Sequence, residues 1–168
     1  MAGRAPRSDR AARAGGRRVA GARAFAVVAA RFNEPITKRL VDGALQAFRA
    51  AGLGSQAVDV HWVPGSFELP LAASHLARSG RYAGVVCVGV VIRGQTPHFE
   101  HVAREAAAGI RQVTLATGIP VTFGVVTALT EEQAWDRAGG AVANRGEEAA
   151  EAALEMAEFV QRPGRRRK

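Results

Sequence analysis

The chain has 168 residues, 48% of them hydrophobic, and no apolar run approaches the roughly 20 residues that a membrane-spanning helix needs. This length and composition predict one globular domain with a substantial core and argue against a membrane protein. The single cysteine, Cys87, cannot form an intrachain disulfide and is expected as a buried thiol. That is consistent with a reducing compartment, and we expect the protein in the cytoplasm.

The net charge of +8 comes from the two ends of the chain. Residues 1–24 carry a net +6 and residues 161–168 a net +5, which leaves −3 for residues 25–160. Both ends lack periodicity and large apolar residues, so we expect disordered basic extensions over 1–23 and 162–168 around a domain at 24–161. The Arg-rich, nearly acid-free N-terminal segment is also typical of an organelle transit peptide, although it has only one serine.

Four apolar segments are predicted as strands, and a helical pattern follows each of them. The strands are predicted at 24–30, 58–63, 85–92 and 121–126. The helices are predicted at about 35–51, 69–79, 97–117, 131–138 and 144–161. This alternation predicts an α/β fold in which helices cover both faces of a parallel sheet.

Local signals refine three of these helices. Thr96 before Pro97 predicts an N-cap with proline at the first helical position. Thr130, with Gln133 three residues on, forms a capping-box pattern. In the last helix, one apolar stripe is expected to contain Ala149, Ala153, Met156 and Val160.

The segments that follow the strands are the candidates for a functional site, because ligands bind beyond the carboxyl ends of parallel strands. After the third strand, Gly94, Gln95 and Thr96 lead into a helix, so backbone N–H groups converge and can bind an anion. His98 adds a titratable imidazole beside that position, although a helix-capping or solvent-facing histidine is the alternative.

The segments after the first two strands carry further candidates. Phe32 either packs on the following helix or offers a flat face to a planar heterocycle. Glu68 either stabilises a helix start or, with Ser66, binds substrate hydroxyls. His61, His98 and His101 lack the spacing of a zinc site, so no metal is expected. The chain also lacks a Walker lysine motif, GxGxxG and GxSxG.

Five motifs, in order and at matching spacing, resemble the 6,7-dimethyl-8-ribityllumazine synthase family of riboflavin biosynthesis. They are Arg31-Phe32-Asn33, Val63 to Pro70, Val91 to Phe99, Phe123 to Thr127, and Arg137-Ala138-Gly139. The resemblance covers about residues 24–160 and implies a flavodoxin-like, three-layer α/β/α sandwich with a four-stranded parallel sheet. It also implies condensation of 5-amino-6-(D-ribitylamino)uracil with 3,4-dihydroxy-2-butanone 4-phosphate, without metal or organic cofactor.

The resemblance implies a set of site residues. His98 would transfer protons, Phe32 would stack on the pyrimidine, and Phe123 of a neighbouring subunit would close the pocket. Gln95 and Thr96 would bind the phosphate, with Arg137 as its countercharge. The implied substrate-binding residues are Phe32, Asn33, Ser66, Phe67, Glu68, Val90, Val91, Ile92, Gln95, Thr96, Phe123, Arg137 and Arg145.

The sequence departs from the family pattern at two positions. Glu100 and His101 stand where the family usually has Asp and Tyr, so His101 competes with His98 as the titrating group. Arg145 stands where the family commonly has Lys. The arginine keeps the positive charge but cannot shuttle a proton.

The resemblance also implies partners. A homopentamer is expected because the family completes its pocket across a subunit boundary. A sixty-subunit shell is expected because the connection from Arg137 to Arg145 has the short form of shell-forming members. Riboflavin synthase and, through the Arg-rich ends, RNA are further candidate partners. Two other function classes remain open: a non-catalytic lumazine- or flavin-binding paralogue, and an RNA-binding shell protein.

Overall fold

The computed structural model describes residues 24–162. The predicted extension at 1–23 and nearly all of that at 162–168 lie outside these residues. Within residues 24–162, four strands alternate with five α-helices. In chain order they are β1 (Ala24–Ala30), α1 (Glu34–Ala50), β2 (Val58–Val63), α2 (Leu69–Arg78), β3 (Tyr82–Ile92), α3 (His98–Thr117), β4 (Val121–Ala128), α4 (Glu131–Asp136) and α5 (Arg145–Gln161).

All strand pairs are parallel, and the sheet order is β2-β1-β3-β4. Helices α1, α4 and α5 pack over one face, where side chains such as Leu40 and Phe48 form one core cluster. Helices α2 and α3 cover the other face around Leu69 and Ile110. The flavodoxin-like three-layer α/β/α fold expected from the sequence is therefore confirmed.

Strand β3 is the centre of the sheet. It begins at Tyr82, three residues before the predicted start, and every residue up to Val91 is buried. Cys87 is fully buried, and burial raises the pKa of its thiol to about 12. The prediction of a core thiol is confirmed. Within 24–162, no helix is long and apolar enough to cross a bilayer.

The apolar stripe that the sequence predicted on α5 is confirmed only in part. Ala149 and Ala153 are buried, but Met156 and Val160 are 42% and 49% exposed, so the prediction is wrong for these two. The buried stripe consists of small residues because α5 lies very close to α1. A Cβ added at Gly146 would fall 1.9 Å from the Leu40 carbonyl oxygen.

Candidate functional site

The sheet order places its topological switch point between β1 and β3, where such sheets bind ligands. Pairing of these two strands ends at Ala29 opposite Val88. Pairing of β3 with β4 continues to Ile92 opposite Ala128. The last four residues of β3 therefore extend beyond its registered pairing with β1.

Beyond the end of β1, the chain continues to hydrogen-bond to β2 and to the residue that follows it. The Arg31 N–H donates to the Val63 carbonyl at 2.8 Å, and the Phe32 N–H donates to the Pro64 carbonyl at 3.1 Å. Because β1 follows β2 while β3 follows β4, we expect a crevice between the ends of β1 and β3. Phe32, with 72% of its surface exposed, lies at this carboxyl edge and is free to stack on a planar ligand.

Asn33 connects the two walls of the crevice. Its Nδ2 donates to the Val90 carbonyl of β3 at 3.0 Å. Its own carbonyl accepts the N–H groups of Ile36 and Thr37, both at 3.1 Å, and so begins α1. One residue therefore ends β1, starts α1 and holds β3.

The segment after β2 forms a short 3-10 turn, Ser66–Glu68. Ser66 is 4% exposed and packs on β3, where a Cβ added at Gly89 would lie 2.6 Å from its Oγ. Phe67 is exposed. Glu68 is half-buried, and its side chain makes no capping hydrogen bond to α2, so a hydrogen-bonding cap does not account for this carboxylate.

The segment after β3 is exposed from Arg93 to His98. Helix α3 begins at His98, with Pro97 in the N-cap position, so the predicted Thr96 cap is wrong. The Pro97 carbonyl accepts the Glu100 N–H at 2.9 Å, which closes the first turn one residue later than expected. His98 is thus the first helical residue, in the turn whose N–H groups have no partner within the helix.

Three of the predicted site residues lie elsewhere in the same chain. Phe123, 44% exposed on edge strand β4, pairs in register with Cys87, five residues and roughly 16 Å along the strand before Ile92. Beside it is a shallow depression between β4 and α5. This depression is lined by Thr122, Phe123, Val125, Arg145, Glu148, Ala149 and Ala152.

Arg137 and Arg145 accompany Phe123. The Arg145 N–H donates to the Arg137 carbonyl at 2.9 Å, and the Arg145 guanidinium pairs with Glu148. The Arg137 guanidinium donates to the Gln133 carbonyl at 2.9 Å. Gln133 was predicted from the sequence only as part of the Thr130 cap, and Glu148 was not singled out, although it lies three residues after Arg145, a spacing that favours a helical ion pair.

The predicted site residues therefore fall into two groups within one chain. The carboxyl-edge group consists of Phe32, Asn33, Ser66, Phe67, Glu68, Val90, Val91, Ile92, Gln95, Thr96 and His98. The β4-edge group consists of Phe123, Arg137 and Arg145. Within residues 24–162, no three His, Cys, Asp or Glu side chains converge to hold a metal ion.

Residues 22–161 match the family model described as 6,7-dimethyl-8-ribityllumazine synthase. The match spans all nine α-helices and strands and both groups of site residues.

Proposed function

The chain belongs to the 6,7-dimethyl-8-ribityllumazine synthase family of riboflavin biosynthesis, and on that premise we propose that it condenses 5-amino-6-(D-ribitylamino)uracil with 3,4-dihydroxy-2-butanone 4-phosphate. Phosphate and water are released as the lumazine forms. One observation carries the proposal. An exposed ring at Phe32, a half-buried carboxylate at Glu68 and an exposed imidazole at His98 follow three strands that meet at one edge.

The carboxyl-edge group suits a pyrimidine with a polyol chain. Phe32 stacks on the heterocycle, and the β3 backbone from Val90 to Ile92 offers it hydrogen bonds. Glu68 accepts a ribityl hydroxyl, which its freedom from the α2 cap allows. Ser66 is too buried to offer much side-chain surface, so its contribution comes mainly from the backbone of the turn.

His98 moves the protons of the reaction. Imine formation between the amine and the ketone, loss of phosphate and ring closure each require a proton transfer near neutral pH, for which imidazole is suited. The N–H groups at the start of α3, with Gln95 and Thr96, bind the phosphate before it leaves. Holding two substrates in register supplies much of the remaining acceleration.

Arg137 is the countercharge of the phosphate, because a guanidinium fork matches a phosphate dianion. The two groups of site residues lie apart in one chain, so a complete pocket takes the carboxyl-edge group from one subunit and the β4-edge group from its neighbour. Arg145 enters this pocket already paired with Glu148, which limits its role to a secondary charge.

Exposed apolar side chains support assembly into a closed homo-oligomer. Exposed apolar surface of this kind marks protein interfaces where it is contiguous. Outside the proposed pocket, the exposed large hydrophobic residues include Leu71, Leu115, Leu129, Trp135, Met156 and Phe159. We assign them to contacts in a pentamer and, through α5, to a sixty-subunit shell. Native mass measurement tests both steps, since a lone pentamer refutes only the shell.

The reaction is tested directly by mixing the two substrates with purified protein and recording lumazine fluorescence. A protein that binds the lumazine but forms none is the non-catalytic paralogue instead. The shared pocket is tested by co-refolding His98→Ala with Arg137→Ala, each weakly active alone. With random mixing of equal amounts, about a quarter of the pockets contain both a native His98 and a native Arg137. About a quarter of the wild-type activity should therefore return.

Co-refolding has a clear opposite outcome. If His98 and Arg137 belonged to a pocket formed within one chain, every pocket in the mixture would lack one of them. Activity that stays at the level of the separate variants therefore refutes the shared pocket. The matched control is wild type co-refolded with His98→Ala, which should retain about half of the wild-type activity whichever arrangement holds.

The two basic ends of the chain support one further partner. A net charge of +11 at the two ends favours non-specific RNA binding that weakens steeply with salt. Deleting residues 1–22 and 162–168 should abolish that binding and leave turnover unchanged. RNA binding that persists in the truncated protein contradicts the assignment to the ends.

A further inference from the structure

Asn33 has an unusual backbone conformation. Its φ of 60° and ψ of 39° lie in the left-handed region, and it is the one non-glycine residue within 24–162 with a positive φ. Glycine adopts this conformation without the steric cost of a Cβ, and asparagine tolerates it better than most residues. The turn after β1 would therefore accept glycine, so the turn alone does not explain an amide side chain at this position.

The amide of Asn33 replaces a backbone hydrogen bond that the sheet lacks. The Val90 carbonyl lies two residues past Val88, the last residue of β3 in register with β1. Phe32 lies two residues beyond the end of β1, but its N–H donates to the Pro64 carbonyl on the β2 side. The Asn33 Nδ2, 57 positions away in sequence from Val90, donates to that carbonyl at 3.0 Å. Because Val90 is 1% exposed, its carbonyl would otherwise have little access to water.

The bridge sets the width of the crevice. One wall carries the Phe32 ring, immediately before Asn33, and the other carries the β3 backbone from Val90 to Ile92. We propose that Asn33 is a positioning residue, which fixes the distance between the stacking ring and the β3 backbone and does not use its amide nitrogen on the substrate. This inference rests on the proposed function, in which both walls bind the pyrimidine.

Two substitutions separate this role from direct binding. Asn33→Gly keeps the left-handed turn and removes the bridge. Asn33→Asp keeps the shape of the side chain and an acceptor oxygen. Its carboxylate cannot donate a hydrogen bond to the Val90 carbonyl, however, and it places a second acceptor opposite that carbonyl. Pyrimidine affinity should fall about 10-fold in Asn33→Gly and further in Asn33→Asp, while the KM of the phosphorylated ketone stays within about 2-fold of wild type.

Thr114→Val is the matched control. Thr114 also joins two elements through its side chain, since its Oγ1 donates to the Val121 carbonyl at 3.1 Å at the amino end of β4. Its loss should lower stability without changing pyrimidine affinity. Amide hydrogen exchange adds a readout that needs no substrate, because residues 90–93 should exchange faster in both Asn33 variants and at the wild-type rate in Thr114→Val.

Each outcome decides the inference. If Asn33→Asp binds pyrimidine as tightly as wild type, the Asn33 oxygen is itself a ligand and the positioning role is wrong. Unchanged affinity and exchange in Asn33→Gly also overturn it. A wild-type protein that neither turns over nor binds pyrimidine refutes the proposed function instead, and the exchange comparison then still decides whether Asn33 holds the two walls together.

Discussion

The carboxyl-edge group and the β4-edge group differ in how much of a binding site one chain brings together. At the carboxyl edge, three consecutive strand ends bring an aromatic ring, a carboxylate and an imidazole around one crevice, and Asn33 holds its walls. At the β4 edge, Phe123 is 44% exposed and shares a shallow depression with Arg145, and the guanidinium groups of Arg145 and Arg137 are both engaged with groups of their own chain.

The difference indicates which part of the chemistry a single chain can perform. In the proposed reaction, recognition of the heterocycle and proton transfer would depend on residues that the fold of one chain assembles. Phosphate recognition by arginine and closure of the pocket would depend on a second copy. Substitutions in the two groups should therefore have separable effects on the two substrates.

The largest effect is expected for His98→Ala, which should lower kcat by about 10- to 10³-fold, because the reaction loses its positioned acid–base group. Product affinity should change little. His101→Ala is the matched control, since His101 is exposed on the next turn of the same helix. Full activity in His98→Ala together with an inactive His101→Ala would move the proton transfer to His101.

Arg137→Ala should raise the KM of the phosphorylated ketone by about 10- to 100-fold, since a hydrogen-bonded charge on the phosphate is lost. Pyrimidine affinity should stay nearly unchanged. Arg49→Ala, an exposed arginine at the end of α1, is the control. An equal loss of affinity for both substrates would indicate that Arg137 acts through the structure.

Gly146→Ala tests how strongly the β4-edge group depends on the packing of α5. The added Cβ overlaps the Leu40 carbonyl, so the free energy of unfolding should fall by about 1–3 kcal/mol, measured by urea denaturation. Gly94→Ala is the control for folding, because its Cβ meets no atom within 4 Å. Equal stability of the two variants would contradict the close α1–α5 contact.

The smallest effect is expected at Cys87, which lies on β3 opposite Phe123. Because burial raises its pKa from 9.0 to about 12, the thiol stays neutral and should resist alkylation in the native protein at pH 8. The raised pKa contributes stability below pH 9 that is lost as the pH rises towards about 12. Rapid labelling at pH 8 without denaturant would show that β3 opens.

Local patterns in the sequence determined the elements of this protein. The strand at 58–63 and the Thr130 cap, whose Oγ1 accepts the Gln133 N–H at 3.2 Å, were predicted correctly. They depend on side-chain alternation and on contacts within a few residues, which the sequence shows directly. Strand alternation with helices then predicted the parallel sheet, which is confirmed, and a site at its carboxyl edge, which stays a prediction.

Contacts between distant residues decided the rest. The Asn33 bridge to Val90 and the packing of Ser66 on Gly89 depend on strand order and register, although a glycine inside a strand was a signal of close approach. Met156 was predicted on the apolar stripe of the last helix, yet the close α1–α5 contact admits only small residues and leaves it exposed. Periodicity gives the phase of a helix, but the distance to its neighbour decides which apolar residues fit between them.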